Sequence, residues 1–344
     1  MTLVYLNKVD LTTSRYRFIL LPPDGTKLDI TKLIEHWSLA ELDGELCTKL
    51  TIKLKNIKDE AFGWLHTKMY LAYRVKVEAT FDNQTKEVFS GSFYNFKTVA
   101  VDHTIEVVAY PPTYPAVKSV DHFYLPDKQS CKKSIEHIFS VAEVKVKRVD
   151  GPNVSLSKKI YKQSAMSACI NLLEEAELKG DGDYVPRSNN AEVEVVKTGT
   201  NQTVYEITDY TVSSSSDEHS IADDFISEVV IFSNSQGDTR PPVQATKKGD
   251  VRFGRFRETI YLSGDDTPSK AIETANEMLK KRNKVEVTRP IKHPDIPFLR
   301  KGDKMLVASG TIGTMKDNKQ ASVPCIVESV TRDESGYMTV QLKG

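Results

Sequence analysis

Three short acidic motifs are the first candidates for chemistry in this sequence. Asp181-Gly182-Asp183 resembles the start of a calcium-binding loop, in which alternate acidic residues supply oxygen ligands. The later acidic ligands of such a loop are missing, so an ordinary turn is the favoured interpretation. Asp223-Asp224 and Asp265-Asp266 are adjacent pairs, whose side chains seldom face each other. The first pair is expected at a loop end, and the second near a helix N-terminus, where the helix dipole favours negative charge.

The histidines and cysteines show no spacing that is typical of a catalytic or metal site. The seven histidines form no His-x-x-x-His or His-Glu-x-x-His pattern, which a helical zinc site requires. Isolated thiols are usually core or surface residues of a protein kept in a reducing cytosol. The cysteines, which form no Cys-x-x-Cys motif, are Cys47, Cys131, Cys169 and Cys325.

Other catalytic signatures are missing as well. The sequence has no Gly-x-Ser-x-Gly motif, phosphate-binding loop or dinucleotide fingerprint. We therefore expect no bound metal, no cofactor and no enzyme activity. An enzyme with dispersed catalytic residues stays open as an alternative, because such a site leaves no local motif.

Charge and hydropathy disfavour two further classes of function. The chain has 344 residues, with 47 Lys and Arg against 47 Asp and Glu, so its formal net charge is zero. Affinity for nucleic acid depends on excess cationic side chains, so no nucleic-acid specificity is expected. The longest apolar runs, such as residues 18–21, are far shorter than the roughly 20 residues of a membrane span. The N-terminus has no apolar core of a signal peptide, so we expect neither membrane insertion nor export.

The length fits two to four modules of roughly 100 to 150 residues each. In residues 1–110, apolar and polar residues alternate through 46–55, 71–82 and 105–109. This period of two predicts strands with one face against a core. With an opening strand at 15–19, about six antiparallel strands at hairpin spacing predict a barrel or sandwich. A short helical turn is expected at 60–65.

Residues 111–197 combine helical and strand patterns, after a proline-rich linker that begins at Pro111. Apolar residues at helical spacing predict two helices, with Ser130 and Ser164 as their N-caps. Gly180, a residue type that tolerates a left-handed backbone, is expected to end the second helix. A strand at 144–149 and a hairpin at 184–196 complete a small α/β module.

Residues 198–344 return to short strands around one helix. Strands are predicted at 204–207, 210–212, 227–232 and 252–262, and a surface excursion rich in Gly, Pro and charge is predicted at 234–250. Thr267 is the expected N-cap of a helix over residues 268–282 that begins at Pro268. Its buried stripe includes Ala271, Ala275 and Leu279.

The stretch Phe298–Val307 is the part around which the last module is organised. It approaches in extended form, turns at Lys301-Gly302-Asp303 and continues as a strand, and a hairpin follows at 325–342. The predicted fold is thus α+β and β-dominated. It has antiparallel β-barrel modules at residues 1–110 and 198–344, with the α/β module at 111–197 between them and the helix 268–282 inserted in the second barrel.

This order of parts resembles the baseplate hub proteins of contractile phage tails, the late-control D family. The similarity is to the version carried by Gram-positive prophages and phage-tail-like bacteriocins. Its helix and hairpin resemble residues 164–187, and its strand opening resembles Asp250 to Gly254. The spacing of its helix matches Ala271, Ala275 and Leu279, and its final turn matches Gly302 and Asp303. The excursion at 234–250 is the least typical part, so no partner that relatives bind there is carried over.

The resemblance implies a homotrimer whose first and third modules, both like tail-tube barrels, alternate around the axis as a pseudo-sixfold ring. Such a ring would join the hexameric tail tube to the trimeric spike, in a virion tail baseplate or a bacteriocin particle. The implied partners are the tail tube protein, the spike protein, the terminus of the tape-measure protein and a LysM-type baseplate protein. A physical reason supports the ring, because edge strands that pair across subunits satisfy their exposed backbone groups.

A second class of function stays open. The β-rich build and scattered carboxylates are also compatible with a cell-wall (peptidoglycan) hydrolase or a glycan-binding tail module. The expected function is nevertheless structural, because no catalytic spacing accompanies those carboxylates.

Overall fold

The computed structural model describes residues 2–5, 15–59, 63–208, 212–216, 218–221, 225–233, 241–262, 267–308 and 322–343. The chain forms two compact units, one from residues 1–217 with 289–344 and the other from residues 218–288. Strands dominate over helices, which confirms the predicted β-dominated α+β class. Both adjacent acidic pairs, and most of the predicted strand 210–212, lie outside the described residues.

The N-terminal part of the larger unit is built from alternating strands. Their inward positions form the N-terminal cluster, a set of buried hydrophobic residues between Phe18 and Ala109. Short 3₁₀ turns lie at Thr31–Leu33 and Leu65–Lys68. The strands are β1 Thr2–Tyr5, β2 Arg15–Leu21, β3 Leu28–Asp29, β4 Ile34–Glu41, β5 Lys49–Lys55, β6 Lys58–Asp59, β7 Gly63–Trp64, β8 Arg74–Phe81, β9 Gln84–Val99 and β10 Thr104–Tyr110.

The middle part packs helices against short strands. Its elements are α1 Pro115–Lys118, β11 Val120–Leu125, β12 Gln129–Ser130, α2 Cys131–Val141, β13 Val146–Val149, β14 Ser155–Leu156, β15 Lys159–Ser164, α3 Ala165–Leu178, β16 Tyr184–Asn189 and β17 Glu192–Lys197. The predicted caps are confirmed: Ser130 Oγ accepts from Lys133 N at 3.4 Å, and Ser164 Oγ accepts from Ser167 N at 3.2 Å. Gly180 follows α3 with φ +80°. Apolar faces of α2 and α3 form the middle cluster, which spans Leu46 to Val195.

The last part of the chain supplies strands to both compact units. Its elements are β18 Thr203–Ile207, β19 Ser214–Ser215, β20 Glu218–Ile221, β21 Glu228–Phe232, β22 Val243–Lys248, β23 Arg257–Tyr261, α4 Pro268–Arg282, β24 Val285–Pro294, β25 Lys304–Ala308, β26 Ser322–Asp333 and β27 Tyr337–Lys343. Within the described residues, no helix is long and apolar enough to cross a membrane.

One continuous sheet runs through the larger unit, in the strand order β1-β18-β25-β26-β4-β5-β10-β9-β8-β2-β3. The long strand β26 makes this possible because it changes neighbours along one edge. Its first part pairs with β25, from Lys304↔Ile326 onward, and its last part pairs with β4, from Val330↔Glu41 to Asp333↔Ser38. The C-terminal cluster, between Phe81 and Leu342, covers the β25 to β27 region.

The smaller unit, residues 218–288, has its own core. Strand β21 is central, with β22 antiparallel on one side and β23 parallel on the other. Helix α4 covers this sheet, and Thr267 Oγ1 caps it by accepting from Lys270 N at 3.3 Å, as predicted. The core consists mainly of Ile226, Val229, Ile231, Ala271, Ala275 and Leu279.

The structure differs from the predicted elements in several places. Strand β4 was not predicted, because the charged Glu41 occupies one of its buried positions and interrupts the apolar alternation. Strand β22 lies inside the predicted excursion 234–250, since its polar sequence pairs with β21 as an edge strand. The helical turn expected at 60–65 is replaced, within the described residues, by β7 at Gly63–Trp64. Residues 218–288 form a unit of their own inside the predicted third module, whereas the three module boundaries stay a prediction.

Candidate functional site

The Lys301-Gly302-Asp303 turn lies in a buried cluster of charged side chains that we call the ionic cluster. Its members come from three distant parts of the larger unit: the end of β4, the β16–β17 hairpin and the turn before β25. Charged groups are seldom buried unless they are paired, so such a cluster is the most unusual feature of this unit. Its members are Glu41, Arg187, Glu194, Arg300, Lys301 and Asp303.

Gly302 lets the chain turn in a confined space. Its φ is +84°, in the left-handed region that side chains with a Cβ adopt only at a cost. A Cβ at this position would lie 2.3 Å from Val185 Cγ1, so the neighbouring hairpin also leaves no room for one. The Gly302 N–H donates to Val327 O at 2.8 Å, and its carbonyl accepts from Gly199 N at 2.9 Å. The turn is thus fixed to β26 and to the segment before β18.

Asp303 holds the turn closed. One carboxylate oxygen accepts from Arg300 N at 3.0 Å, which joins the two ends of the turn. The other oxygen accepts from Arg187 Nη1 at 3.0 Å. Burial raises the pKa of Asp303, although the positive charge of Arg187 opposes this effect.

Arg187 connects the hairpin to the turn. Its Nε donates to Glu194 Oε1 at 2.7 Å, directly across the β16–β17 ladder. Its Nη1 also donates to Lys301 O at 2.6 Å. Burial alone would raise the pKa of Glu194, but the charge of Arg187 outweighs it and lowers that pKa. The guanidinium therefore holds two carboxylates and one carbonyl in a fixed geometry.

Glu41, at the end of β4, connects the N-terminal part of the sheet to the turn at Lys301-Gly302-Asp303. Its carboxylate accepts from Arg300 Nε at 2.8 Å and from Lys301 N at 3.1 Å. Burial alone would raise the pKa of Glu41, but the charge of Arg300, followed by that of Arg187, lowers the pKa to about 2.

Lys301 is the most deeply buried cation of the cluster, with 2% of its surface exposed. Its Nζ donates to the carbonyls of Leu42 and Glu45, which form the turn after β4. Burial lowers the pKa of Lys301 to about 8, although the charge of Glu41 opposes this. The ammonium therefore ties the turn after β4 to the turn before β25.

A second buried ion pair joins the N-terminal and C-terminal strands. Arg332 Nε on β26 lies 3.0 Å from Asp295 Oδ1, and both side chains are almost fully buried. Tyr16 on β2 donates its hydroxyl to Asp295 Oδ2 at 2.5 Å. Burial raises the pKa of Asp295, although the charge of Arg332 opposes this.

A cleft of about 250 Å³ opens beside the ionic cluster. Glu41, Ser188 and Arg300 line it, together with Phe298, whose ring lies 4.5 Å from Lys86 Nζ. The carboxylate of Glu41 accepts the hydrogen bonds from Arg300 and Lys301, and Arg300 Nη2 donates to Ser188 O at 2.5 Å. The charged atoms facing the cleft are therefore engaged in binding protein segments to one another.

The structure divides the six site residues predicted from the sequence between the two units. Gly302 and Asp303 belong to the ionic cluster. In the smaller unit, Ala271, Ala275 and Leu279 are buried on α4, and Gly254 has φ +115° in a turn where its carbonyl accepts from Ser227 Oγ at 2.8 Å. These positions are structural, and their correspondence to the hub family stays a prediction.

The other predicted motifs also have structural partners. Asp181 Oδ2 accepts from Asn153 N at 2.6 Å and from Val154 N at 2.8 Å, so its carboxylate binds the segment before β14. All four cysteines are buried and free. Among the residues with described coordinates, no group of three or more His, Cys, Asp or Glu side chains is placed to hold a metal ion.

Sequence reasoning missed Glu41, Arg187 and Glu194. Charged residues in alternating strands are normally assigned to the solvent face, whereas these three face other buried groups. One signal was present: a two-residue turn at Asn190-Ala191 places Arg187 opposite Glu194 in the hairpin. Nothing local in the sequence indicates that Glu41 meets Arg300.

The fold of this chain resembles solved structures of phage tail proteins. The 43 kDa tail protein of prophage MuSo2 from Shewanella oneidensis superposes with a TM-score of 0.62 at 10% identity, over 95% of this chain and 98% of that chain. The tail protein from Neisseria meningitidis MC58 gives a TM-score of 0.62 at 11% identity, over 96% of each chain. The chain therefore has the fold of a phage tail protein.

A related fold occurs in a secretion system. The E. coli c3393 protein, a type VI secretion component described as structurally similar to the T4 bacteriophage tail proteins gp27 and gp5, gives a TM-score of 0.50 at 11% identity. That alignment covers 98% of this chain and 76% of the other. At the level of family, the chain belongs to the YQBQ-like family, whose model matches residues 41–343. No curated protein sequence matches the chain.

Proposed function

We propose that this protein is a structural baseplate subunit of a contractile phage tail or phage-tail-like bacteriocin, in the position of the hub between tail tube and spike. The observation that carries the proposal is the length of the match: the fold agrees with two tail proteins over at least 95% of this chain and at least 96% of theirs. A shared domain inside an unrelated protein would not extend over both chains in this way.

In this proposal the chain assembles as a homotrimer with two tube-like barrel modules per subunit, which alternate in a pseudo-sixfold ring. Strand β1 is the short edge strand at one end of the long sheet, and among the described residues its outer backbone groups have no strand beside them, so they are available for pairing between subunits. The ring meets the hexameric tube on one side and the trimeric spike on the other. The tape-measure terminus and a LysM-type baseplate protein are the further partners.

The ionic cluster supports a structural role for this chain. Buried ion pairs add little net stability over apolar packing, but they penalise any other arrangement of the same segments. A hub that transmits force from a contracting tail needs its parts held in one geometry. Three remote segments meeting at Arg187, Arg300 and Lys301 provide that constraint.

We also propose that the protein is not an enzyme. Hydrolysis of a glycan needs one protonated and one ionised carboxyl group placed on either side of the bond to be cleaved. In the ionic cluster, Glu41, Glu194 and Asp303 are each paired with an arginine. A hydrolase or glycan-binding role has no specific support from this arrangement.

Two measurements test the proposal. Light scattering on the purified protein is expected to give three times the 38.6 kDa chain mass, at least in the presence of the tube or spike protein. Negative-stain imaging and mass spectrometry of purified tails are expected to find the protein at the baseplate. A protein that stays monomeric and is missing from purified tails would contradict the role. Clearing of peptidoglycan in a zymogram, abolished by a carboxylate substitution, would favour the hydrolase instead.

A further inference from the structure

The edge of the long sheet beside β2 carries a groove that the ionic cluster and the proposed function do not use. Its volume is about 790 Å³, within the range of sites that bind peptides or small ligands. It lies next to the first half of β2, near Arg15 and Arg17. Strand β3 pairs with β2 only at Ile19↔Asp29 and Leu20↔Leu28, so it covers only the second half of β2.

Backbone groups of β2 face this groove. Phe18 N donates to Thr31 Oγ1 at 2.9 Å, and Phe18 O accepts from Ile30 N at 3.0 Å, so the polar groups of Phe18 face the β3 side. Backbone groups that face one edge recur every second residue, which places those of Tyr16 on the same edge. Strand β8 occupies the opposite edge. Among the residues that the structure describes, no strand pairs with Tyr16 on the groove side.

The lining of the groove is apolar below and positively charged at the rim. Asp29 is the acidic residue of the lining, and it already pairs with Arg17 at 2.8 Å. Within the described part of the chain, Arg15, Lys27 and Lys32 have no carboxylate at ion-pair distance. The floor is formed mainly by Leu28, Leu33, Ile57 and Leu65, and the rim cations are Arg15, Arg17, Lys27 and Lys32.

We propose that this groove is a docking site for an extended segment of another protein, in which apolar and acidic side chains alternate. An extended segment can exchange backbone hydrogen bonds with Tyr16 while alternate side chains point into the groove or toward the rim. Its apolar side chains occupy the floor at Leu33 and Ile57. Its acidic side chains complement Arg15, Lys27 and Lys32 at the rim.

A second copy of this chain fits the groove less well. The edge strand at the other end of the same sheet is β1, with the sequence Thr-Leu-Val-Tyr, which carries no acidic side chain. Pairing through β1 would leave Arg15, Lys27 and Lys32 unmatched. The inference depends on the groove alone and does not rest on the proposed function.

Fluorescence anisotropy on the full chain tests this proposal with two labelled synthetic peptides. One alternates valine with aspartate and glutamate, and the other has lysine in place of each acid. We expect saturable binding of the acidic peptide only, weakened by salt between about 50 and about 300 mM because the rim contacts are exposed. The exposed charge pairs between the rim cations and the acidic peptide are together expected to change the affinity by on the order of tenfold.

The variant Lys27→Glu with Lys32→Glu is expected to weaken binding of the acidic peptide about tenfold. The matched control is Lys145→Glu with Lys147→Glu, an equal charge change at exposed positions of the same unit, which should leave binding unchanged. A third variant, Leu33→Ala, should weaken binding while keeping its salt dependence, because it removes apolar contact only. Circular dichroism and melting curves check that each variant is folded.

Several results would overturn the proposal. These are failure of the acidic peptide to bind, equal binding of the basic peptide, or equal weakening by both charge-reversal variants. Light scattering distinguishes another protein from a second copy of this chain as the occupant of the groove. If the Lys27 and Lys32 reversal changes the oligomeric mass of the protein, the groove is occupied by a second copy and the assignment to another protein is wrong.

Discussion

Replacing Gly302 by alanine separates backbone strain from steric exclusion at the turn of the ionic cluster. The φ of +84° costs a residue with a Cβ about 1 to 2 kcal/mol. The contact of 2.3 Å with Val185 Cγ1 must also be relieved by moving the hairpin, and overpacking of this kind costs about 1 to 3 kcal/mol. Gly302→Ala should therefore destabilise the larger unit by about 2 to 5 kcal/mol in total.

Two companion variants isolate the contributions. Gly336 has a similar φ of +77°, but a Cβ there meets no atom within 4 Å, so Gly336→Ala should cost only the strain, about 1 to 2 kcal/mol. Val185→Ala removes the clashing Cγ1 atom. In that background, Gly302→Ala should also cost only the strain, which gives a coupling of about 1 to 3 kcal/mol in the double-mutant cycle.

Urea unfolding followed by tryptophan fluorescence is the assay. Both tryptophans, Trp37 and Trp64, lie in the larger unit, so the signal reports on the unit that contains Gly302. If Gly302→Ala costs no more than Gly336→Ala, steric exclusion by the hairpin is refuted. If Val185→Ala gives no relief, the clash lies elsewhere and the assignment of the contact is wrong.

Three further predictions concern the ionic cluster and α4. Arg187→Met removes the buried cation that bridges Glu194 and Asp303, and it should cost about 3 to 5 kcal/mol in urea unfolding. Arg148 is half-exposed and lies 3.5 Å from Glu194, so Arg148→Met should cost less than about 1 kcal/mol. Equal costs would contradict this. Glu41 has a folded pKa of about 2, below its ordinary 4.5, so its contribution is complete above about pH 4.5 and is lost as pH falls toward 2. The stability advantage of wild type over Glu41→Gln, measured by urea midpoints from about pH 6 to about pH 3, should shrink accordingly; an advantage that grows on acidification would reverse the sign. Thr267→Ala removes the cap of α4 and should speed amide exchange in its first turn by an amount equivalent to about 1 kcal/mol, while Thr274→Ala, within the helix, should not; unchanged exchange at 269–271 would refute the cap.

Helices and tight turns were predictable from the sequence because their causes are local. Ser130, Ser164 and Thr267 each cap a helix with their own side chain, so the residue type and its position before an apolar stripe were sufficient. The Gly302-Asp303 turn was found for the same reason. The strand β4 was missed because its structure depends on pairing on both sides, with the neighbouring β5 and with β26, which is almost 300 residues away in the sequence.

The ionic cluster could be predicted only in part, because its members are brought together by tertiary contacts. Arg187 and Glu194 face each other within one hairpin, and a correct choice of turn would have found that pair. Glu41 and Arg300 are 259 residues apart in the sequence, so no local pattern indicates their contact. A charged residue in a predicted strand is assigned to the solvent-facing side unless its partner in the folded protein is known.

The position of the ionic cluster explains why polar groups occupy this part of the core. Strand β26 changes neighbours between Ile326 and Val330, from β25 to β4, and apolar packing alone would tolerate a shift there because it is not directional. A shift of one residue would turn Val330 and Arg332 to the opposite face of the sheet. At this point Val327 donates to Asp303 O at 2.9 Å and accepts from Gly302 N at 2.8 Å.

Those two hydrogen bonds fix β26 to the turn at Gly302. Directional hydrogen bonds to the side chains of Arg187 and Glu41 hold that turn in place. Any other register of β26 against β4 would separate buried charges from their partners, at several kcal/mol for each pair broken. The charged side chains therefore disfavour alternative strand pairings more than they raise the net stability of the sheet. A turn at Gly302 with an acid at 303 is required because it presents both backbone groups to β26 and a carboxylate to Arg187 at the same time.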